Sequence, residues 1–332
     1  MAADVDLLVL AELNPDVLVS SGDVELRFGQ VEQLIDNASV TLGSSGAITA
    51  CAAAAQGLRV AVCAVIGDDP IGQWTAEQLR GHGVDVSGVI RRPGRQTGLS
   101  VVLTRADGDR AILTYSGTMT ELSAADIPRD RLRGARHVHA SSFFLQRSLQ
   151  SGLPGLLRAA HAAGATTSLD TGWAPAGEWA SVRPALHDLD YLLPNAAECA
   201  RLAAALDLAG GPPDGADESA TLRAADALNR LGPAVAVKLG AAGSLAVTPD
   251  GVVRVRGRAV TPVDTTGAGD CFNAGFIAGV LDGSTTTVAL QRAVASGSLA
   301  VTGWGGTGAL ATRAEALQAA GRLDAEPIPR RP

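Results

Sequence analysis

The stretch Asp264-Thr265-Thr266-Gly267-Ala268-Gly269-Asp270 runs directly into Cys271-Phe272-Asn273-Ala274-Gly275-Phe276, and the rest of the chain is read outward from it. Its small residues let the backbone turn so that several N–H groups point outward where a helix begins. Such a helix end binds anions through unpartnered donors and the positive end of the dipole. Asp270 stands at the rim of this cradle. An anion cradle beside a carboxylate suits phosphoryl transfer: the amides hold the phosphate in flight, and the carboxylate accepts the proton of the attacking hydroxyl. Gly267-Ala268-Gly269-Asp270 alone would pass for a glycine turn with Asp270 as an N-cap. Two threonines, two glycines and two aspartates within seven residues favour a site.

Around this stretch, strand-like and helix-like segments alternate. Val5 to Leu10, Arg59 to Ile66, Arg136 to Ala140, Ala165 to Leu169, Tyr191 to Leu193 and Ala234 to Leu239 read as strands. Ser45 to Gln56, the segment from Ile71 to Gly81, Leu149 to Ala163, Ala196 to Leu206 and Thr221 to Leu231 read as helices. This alternation predicts an α/β fold whose mainly parallel sheet is covered on both faces. Two stretches break the rhythm. Asp16 to Thr41 has no helical pattern, and Thr97 to Ser116 reads as two strands joined at Asp107-Gly108. Leu99, Val101, Leu103, Ala111, Leu113 and Tyr115 would share one apolar face. The two segments, about 16–41 and 97–116, are expected to pair into a small β lid inserted in a body that spans 1–332 as one domain. A hairpin is marginal alone, so the lid is also expected to pack against a second copy as a homodimer. Leu208 to Ser219 reads as a surface loop.

Composition removes other classes. At 332 residues, 46% hydrophobic and 18% charged, the chain can bury a large core without staples. A net charge of −7 argues against nucleic-acid and anionic-membrane partners, which call for a basic surface. The first residues carry Asp4 and Asp6 where a signal peptide would be basic, and the uncharged run Asn37 to Leu58 is too polar to span a bilayer. Cys51, Cys63, Cys199 and Cys271 show no metal or disulfide spacing and fit a reducing cytoplasm. His137 and His139 face one side of a strand but lack a third metal ligand and read as structural. There is no Walker A loop. Gly303-Trp304-Gly305-Gly306-Thr307-Gly308 matches G-x-G-x-x-G but follows a helical segment, so it is set aside as a dinucleotide motif. Of 27 basic residues only Lys238 is lysine, which makes a lysine-specific duty plausible there.

Together these segments resemble the ribokinase-like (PfkB) carbohydrate kinases. Asp264 to Asp270 is similar to the family's D-T-T/V-G-A-G-D. Glu12-Leu13-Asn14-Pro15-Asp16 resembles G-E/S-x-N-x-D, and Gly67-Asp68-Asp69-Pro70-Ile71-Gly72 resembles G-D-D-x-F-G. Gly83-Val84-Asp85 follows as G-V-D, Asn195-Ala196-Ala197-Glu198 as N-x-x-E, and Lys238-Leu239-Gly240-Ala241-Ala242-Gly243 as K/T-x-G-x-x-G. The resemblance runs from about residue 7 to about residue 310. It implies a ribokinase-like three-layer sandwich and an ATP- and Mg²⁺-dependent kinase acting on a hydroxyl of a small sugar such as ribose, fructose or 2-keto-3-deoxygluconate. Asp270 would be the base, with the amides of Gly267, Ala268, Gly269 and Asp270 as anion hole. Asn195 and Glu198 would position Mg²⁺ through water. Lys238, Gly240, Gly243, Thr266 and Asn273 would lie with the nucleotide. Asn14, Asp16, Gly43, Ser44 and Ile48 would meet the acceptor, and some members hold a monovalent cation such as K⁺ near Asp264.

Local chemistry supplies other readings of the same residues. Asn195 to Glu198 is also a capping box, and both roles can coexist. Asp68 and Asp69 suit a turn and a cap better than catalysis. Gly43-Ser44-Ser45-Gly46-Ala47-Ile48 departs from the family's G-G-S-x-x-N: Ser44 replaces the second glycine, and Ile48 stands where Asn often touches the sugar. Ala11 replaces the first glycine of the N-terminal motif. By the resemblance these three changes fall in the acceptor pocket, so Ile48 is expected to influence acceptor choice. The alternatives are a nucleoside kinase, with Phe28, Phe143, Phe144 or Trp173 as a purine platform, and a sugar-binding regulator without catalysis.

Overall fold

The apolar runs of the sequence become strands buried on both faces. The computed structural model describes residues 4–20, 27–105, 110–208 and 217–328. Its strands are β1 (Val5–Leu10), β2 (Pro15–Ser20), β3 (Asn37–Leu42), β4 (Val60–Gly67), β5 (Asp85–Arg92), β6 (Leu99–Thr104), β7 (Arg110–Tyr115), β8 (Ala135–Ala140), β9 (Thr166–Leu169), β10 (Tyr191–Leu192), β11 (Ala234–Lys238), β12 (Gly243–Thr248), β13 (Gly251–Arg256) and β14 (Ala325–Ile328). Its helices are α1 (Ser45–Ala55), α2 (Pro70–Gly81), α3 (Arg129–Arg133), α4 (Arg147–Gln150), α5 (Leu153–Ala162), α6 (Arg183–Leu186), α7 (Ala196–Ala205), α8 (Glu218–Asn229), α9 (Ala268–Leu281), α10 (Thr286–Ala300) and α11 (Arg313–Ala320).

Ten strands form one sheet in the order β14-β13-β12-β11-β10-β9-β8-β1-β4-β5. From β5 across to β11 the neighbours run parallel, and β12, β13 and β14 add antiparallel edges. Every residue of β4 is buried, as expected for a central strand covered by helices on both sides. One face packs Leu8, Leu10 and Val138 against α5, α7 and α8 through Leu157, Leu202 and Leu228. The other packs Leu7, Val9 and Val62 against α1 and α9 through Ala50, Cys51 and Ile277. The result is a ribokinase-like three-layer α/β sandwich. No helix among the described residues is long and apolar enough to cross a membrane.

The lid is a separate sheet in the order β3-β2-β6-β7. Its register sorts side chains by face. Thr41, Asp16, Ser100 and Thr114 line up across one side, and Val40, Val17, Val101 and Leu113 across the other. The face carrying Ser100 and Val102 is the buried one. The apolar face is open in the single chain: Val40, Leu113 and Tyr115 are 57%, 58% and 55% exposed. The hairpin turn at Asp107-Gly108 and most of the loop from Leu208 to Ser219 lie outside the described residues.

Two expectations change. The single helix Leu149 to Ala163 is two, α4 and α5, broken at Ser151-Gly152. Gly152 packs so tightly on Ala124 that a Cβ there would lie 2.4 Å from the alanine methyl, and Pro154 opens the new helix. The helix drawn from Thr221 begins earlier, at Glu218, because Asp217 caps it. Asp69 is the N-cap of α2, accepting from Gly72 N at 2.7 Å. His137 and His139 are fully buried and share Ser168 Oγ, each at 2.7 Å.

Candidate active site

Parallel sheets open their crevices at the carboxyl ends of their strands, and there the polar residues converge. Glu12 and Asn14 follow β1, Ser141 and Ser142 follow β8, Asp170 follows β9, and Lys238 ends β11. The N-termini of α1 and α9 sit over these ends.

Gly267 caps α9 with φ +75°, the left-handed region that favours glycine. A Cβ there would also lie 2.7 Å from Gly306 Cα. The expected anion hole is narrower than four amides. Ala268 N donates to Thr265 O at 3.4 Å and Asp270 N to Gly267 O at 3.1 Å. The amides of Gly267 and Gly269 have no backbone acceptor among the described residues, so the cradle opens through them. Asp264 clamps the loop: one carboxylate oxygen accepts from Thr266 N and Oγ1 at 2.9 and 2.8 Å, the other from Gly305 N at 2.8 Å. Thr266 and Asp264 therefore shape the turn, and nothing in their geometry calls for a cation. The segment Gly303 to Gly308, set aside as a nucleotide motif, is the buttress behind the cradle, and its Trp304 Nε1 reaches lid residue Ser39 at 2.9 Å.

Asp270 Oδ1 accepts from Ser45 Oγ at 2.5 Å. Burial, then repulsion from Asp170 and Glu12, pushes its carboxyl up to about 8, against the opposing pull of Ser45 and Lys238. Asp170, which the sequence analysis passed over, is a centre of the site. Its Oδ2 accepts from Lys238 Nζ at 2.7 Å and from Asn273 Nδ2 at 2.6 Å. Asn273 is fully buried and returns its Oδ1 to Lys238 Nζ at 3.2 Å. It therefore holds Lys238 from beneath the cradle, with both ends of its amide engaged. Gly243 is structural too, since a Cβ there would meet Val255 O at 2.3 Å, whereas Gly240 faces open space.

Asn195 and Glu198 make a complete capping box on α7: Asn195 N donates to Glu198 Oε2 at 2.9 Å, and Glu198 N to Asn195 Oδ1 at 2.8 Å. Burial and the charge of Asp170 push Glu198 up to about 7. No cluster of three His, Cys, Asp or Glu suited to a metal occurs among the described residues. One carboxylate here fits Mg²⁺ arriving with a triphosphate and keeping its waters, not a protein cage.

On the acceptor side, Glu12 is buried and tied to Ser45 N at 2.9 Å and to Ser141 and Ser142 Oγ at 2.8 Å. Ser44 Oγ caps α1 by accepting from Ala47 N and donates to Glu12 O. Asn14 Nδ2 donates to Asp16 Oδ1 at 2.9 Å and Ser100 Oγ at 3.3 Å. Burial pushes Asp16 up to about 6, opposed by Asn14. A Cβ at Gly43 would lie 2.2 Å from Asp16 Oδ1, so glycine makes room for this carboxylate. Ile48 is a core residue: it is 3% exposed and fills the gap beside Gly267 and Gly306. It packs against the cradle from behind. Phe143 and Phe144 are buried edge to face on each other, with Phe144 against Trp179, which disfavours them as purine platforms.

Residues 10–313 match the pfkB family carbohydrate kinases. The chain belongs to this family. It is 32% identical to an ATP-dependent ribose-1-phosphate kinase of Halopiger xanaduensis over 83% of this chain and 88% of that protein. It is 28% identical to a ribokinase of Haemophilus influenzae over 94% and 97%, and 30% identical to a 2-dehydro-3-deoxygluconokinase of Bacillus subtilis over 80% and 82%. Arabidopsis thaliana ribokinase, solved with ribose and ATP, superposes with TM-score 0.80 at 26% identity, covering 96% of this chain and 99% of that one. As a PfkB carbohydrate kinase, the chain carries its carboxylate and cradle where the sheet ends.

Proposed function

We propose that this kinase transfers the terminal phosphoryl group of ATP to a primary hydroxyl of a small sugar or sugar derivative, with Asp270 as general base. The observation that carries the reading is Ser45. Its N–H holds Glu12 at the end of β1 and its Oγ holds Asp270 at the start of α9, which supports a reading in which Asn14 and Asp16, just past β1, present the acceptor to the carboxylate beside the cradle. Asp16 and Asn14 suit vicinal hydroxyls. The acceptor O–H gives its proton to Asp270 as its oxygen bonds to the γ-phosphorus. The bond from that phosphorus to the β–γ bridging oxygen breaks, and ADP leaves with the electron pair. The amides of Gly267 and Gly269 hold the phosphoryl oxygens. Asn195 and Glu198 would hold Mg²⁺ through water, and the ion would shield phosphate charge.

Ribose, fructose, 2-keto-3-deoxygluconate and ribose 1-phosphate are the acceptors this reading favours, in keeping with the relatives' names. A nucleoside has weaker support, since only Phe28 and Trp173 among the candidate platforms are exposed. We read 1–332 as one kinase domain carrying the lid, with a second copy covering the row Val40, Val17, Val101 and Leu113. The four cysteines are buried and unpaired, which suits a reducing cytoplasm.

Asp270→Asn tests the assignment. Asn keeps the shape and leaves the cradle amides in place, so ATP affinity and fold should persist while kcat falls by ~10²–10⁴-fold. Turnover within a few-fold of wild type would remove Asp270 as base.

A further inference from the structure

Every other one of the 27 basic residues is arginine, yet the position that ends β11 at the crevice is lysine. Its surroundings are narrow. Lys238, Asp170 and Asn273 close a ring of three contacts at 2.7, 2.6 and 3.2 Å. The ammonium has three donors; Asp170 and Asn273 take two, and the third has no partner among the described residues. A Cβ at Gly269 would lie 3.6 Å from Nζ and 3.5 Å from Cδ of Lys238. The cation therefore lies beside Gly269 in the first turn of α9, at the edge of the cradle. The Lys238 and Asp170 side chains are 13% and 6% exposed. An ion pair so far out of water is a poor stabiliser of a fold, so another reason for it is needed.

We propose that Lys238 is a catalytic residue that meets the transferring phosphoryl group at the Gly269 side of the cradle, and that Asp170, with Asn273, is the positioning residue that holds it there. This rests on the kinase reading given above. Phosphoryl transfer spreads negative charge over the equatorial oxygens, and a fixed cation in a water-poor site stabilises charge best where it needs no reorganisation. A compact ammonium fits a pocket closed by two side chains and a glycine, where a planar guanidinium with five donors does not. Lys238 keeps its proton throughout, and the acceptor's proton goes to Asp270.

Asp270 is faced by Glu12 from the end of β1, Asp170 from β9, Lys238 from β11 and Ser45 from α1, and Asp170 is the charge that raises it most after burial. Removing that charge has a signed consequence. Asp170→Asn should move the acid limb of the kcat/KM profile to lower pH and lower kcat by roughly 10–100-fold, as loss of an outer partner of a site ligand does. Lys238→Met should lower kcat by roughly 10²–10³-fold with the ATP KM little changed, the pattern of a lost transition-state contact. Because the chain has one lysine, ¹⁵Nζ-lysine labelling gives a single side-chain signal. In the wild type it should shift when Mg²⁺ and a β,γ-methylene ATP analogue are added. The proposal is overturned if both variants keep kcat within a few-fold. It is also overturned if Asp170→Asn loses activity with its acid limb unmoved, or if the lysine signal ignores the analogue. The last measurement stands even if Lys238→Met does not fold. Asp270→Asn run in parallel separates the two levels: if it stays active, the kinase reading fails; if it is dead while the tests above fail, only the lysine proposal falls.

Discussion

The phosphate end and the acceptor end of the crevice are built differently. At the phosphate end, each polar group is tied to a distant element of the central sandwich. Asp264 holds Gly305, Asp170 holds Lys238 and Asn273, and Gly267 is pressed against Gly306. At the proposed acceptor end, Asp16 sits on a separate four-stranded sheet, in one row with Thr41, Ser100 and Thr114, and the other face of that sheet lies open. The phosphoryl group is common to every reaction of this kind and is served by groups locked on a rigid core. The relatives are named for different acceptors, and on the proposed reading the acceptor would be served by a sheet that can change without disturbing the core. Of the departures from the family pattern, Ala11 and Ser44 lie toward the proposed acceptor end, Ile48 packs behind the cradle beside Gly267 and Gly306, and the cradle sequence itself is intact.

Two substitutions probe the contrast. The larger effect belongs to the phosphate end. Gly267→Ala demands a left-handed φ of an alanine and drives its methyl into Gly306. It should cost roughly 10²–10³-fold in kcat by displacing a cradle amide, with a lowered Tm; steady-state kinetics at saturating ATP would show this. The smaller effect belongs to the lid. Leu113→Asp puts a charge on the open apolar row, and light scattering should then report a dimer for the wild type and a monomer for the variant, with the protein still folded. Monomeric wild type at micromolar concentration would remove the dimer and leave the catalytic account unchanged.

Most of the architecture was legible because β1, β4 and β11 are largely apolar runs suited to a buried sheet, and because Gly57, Gly83 and Gly164 mark where the intervening helices end. The cradle was legible from Gly267 and Asp270. Ile48 was misplaced because an isoleucine beside a glycine pocket reads the same whether it faces ligand or fills core. Only the contacts with Gly267 and Gly306 distinguish the two. Asn273 looked like a ligand because it lies one turn beyond Asp270, yet it points inward to Asp170. Asp170 itself was missed: nothing in Leu169-Asp170-Thr171 is a motif, and its one signal was its place just past the carboxyl end of a parallel strand. The segment Gly303 to Gly308 was dismissed as a nucleotide motif, and its buttressing role depends on a contact with Asp264 some forty residues away in sequence.

The most direct test of the account is product analysis with the wild-type enzyme. Mg²⁺-ATP is incubated with ribose, fructose, 2-keto-3-deoxygluconate, ribose 1-phosphate and a set of nucleosides, each alone, while ADP release and the ³¹P spectrum are followed. The account predicts one sugar-type acceptor that releases ADP in step with a new phosphomonoester signal, with little ATP loss when acceptor is absent. ATP turnover indifferent to every sugar, or a new phosphomonoester formed on a nucleoside alone, would contradict it.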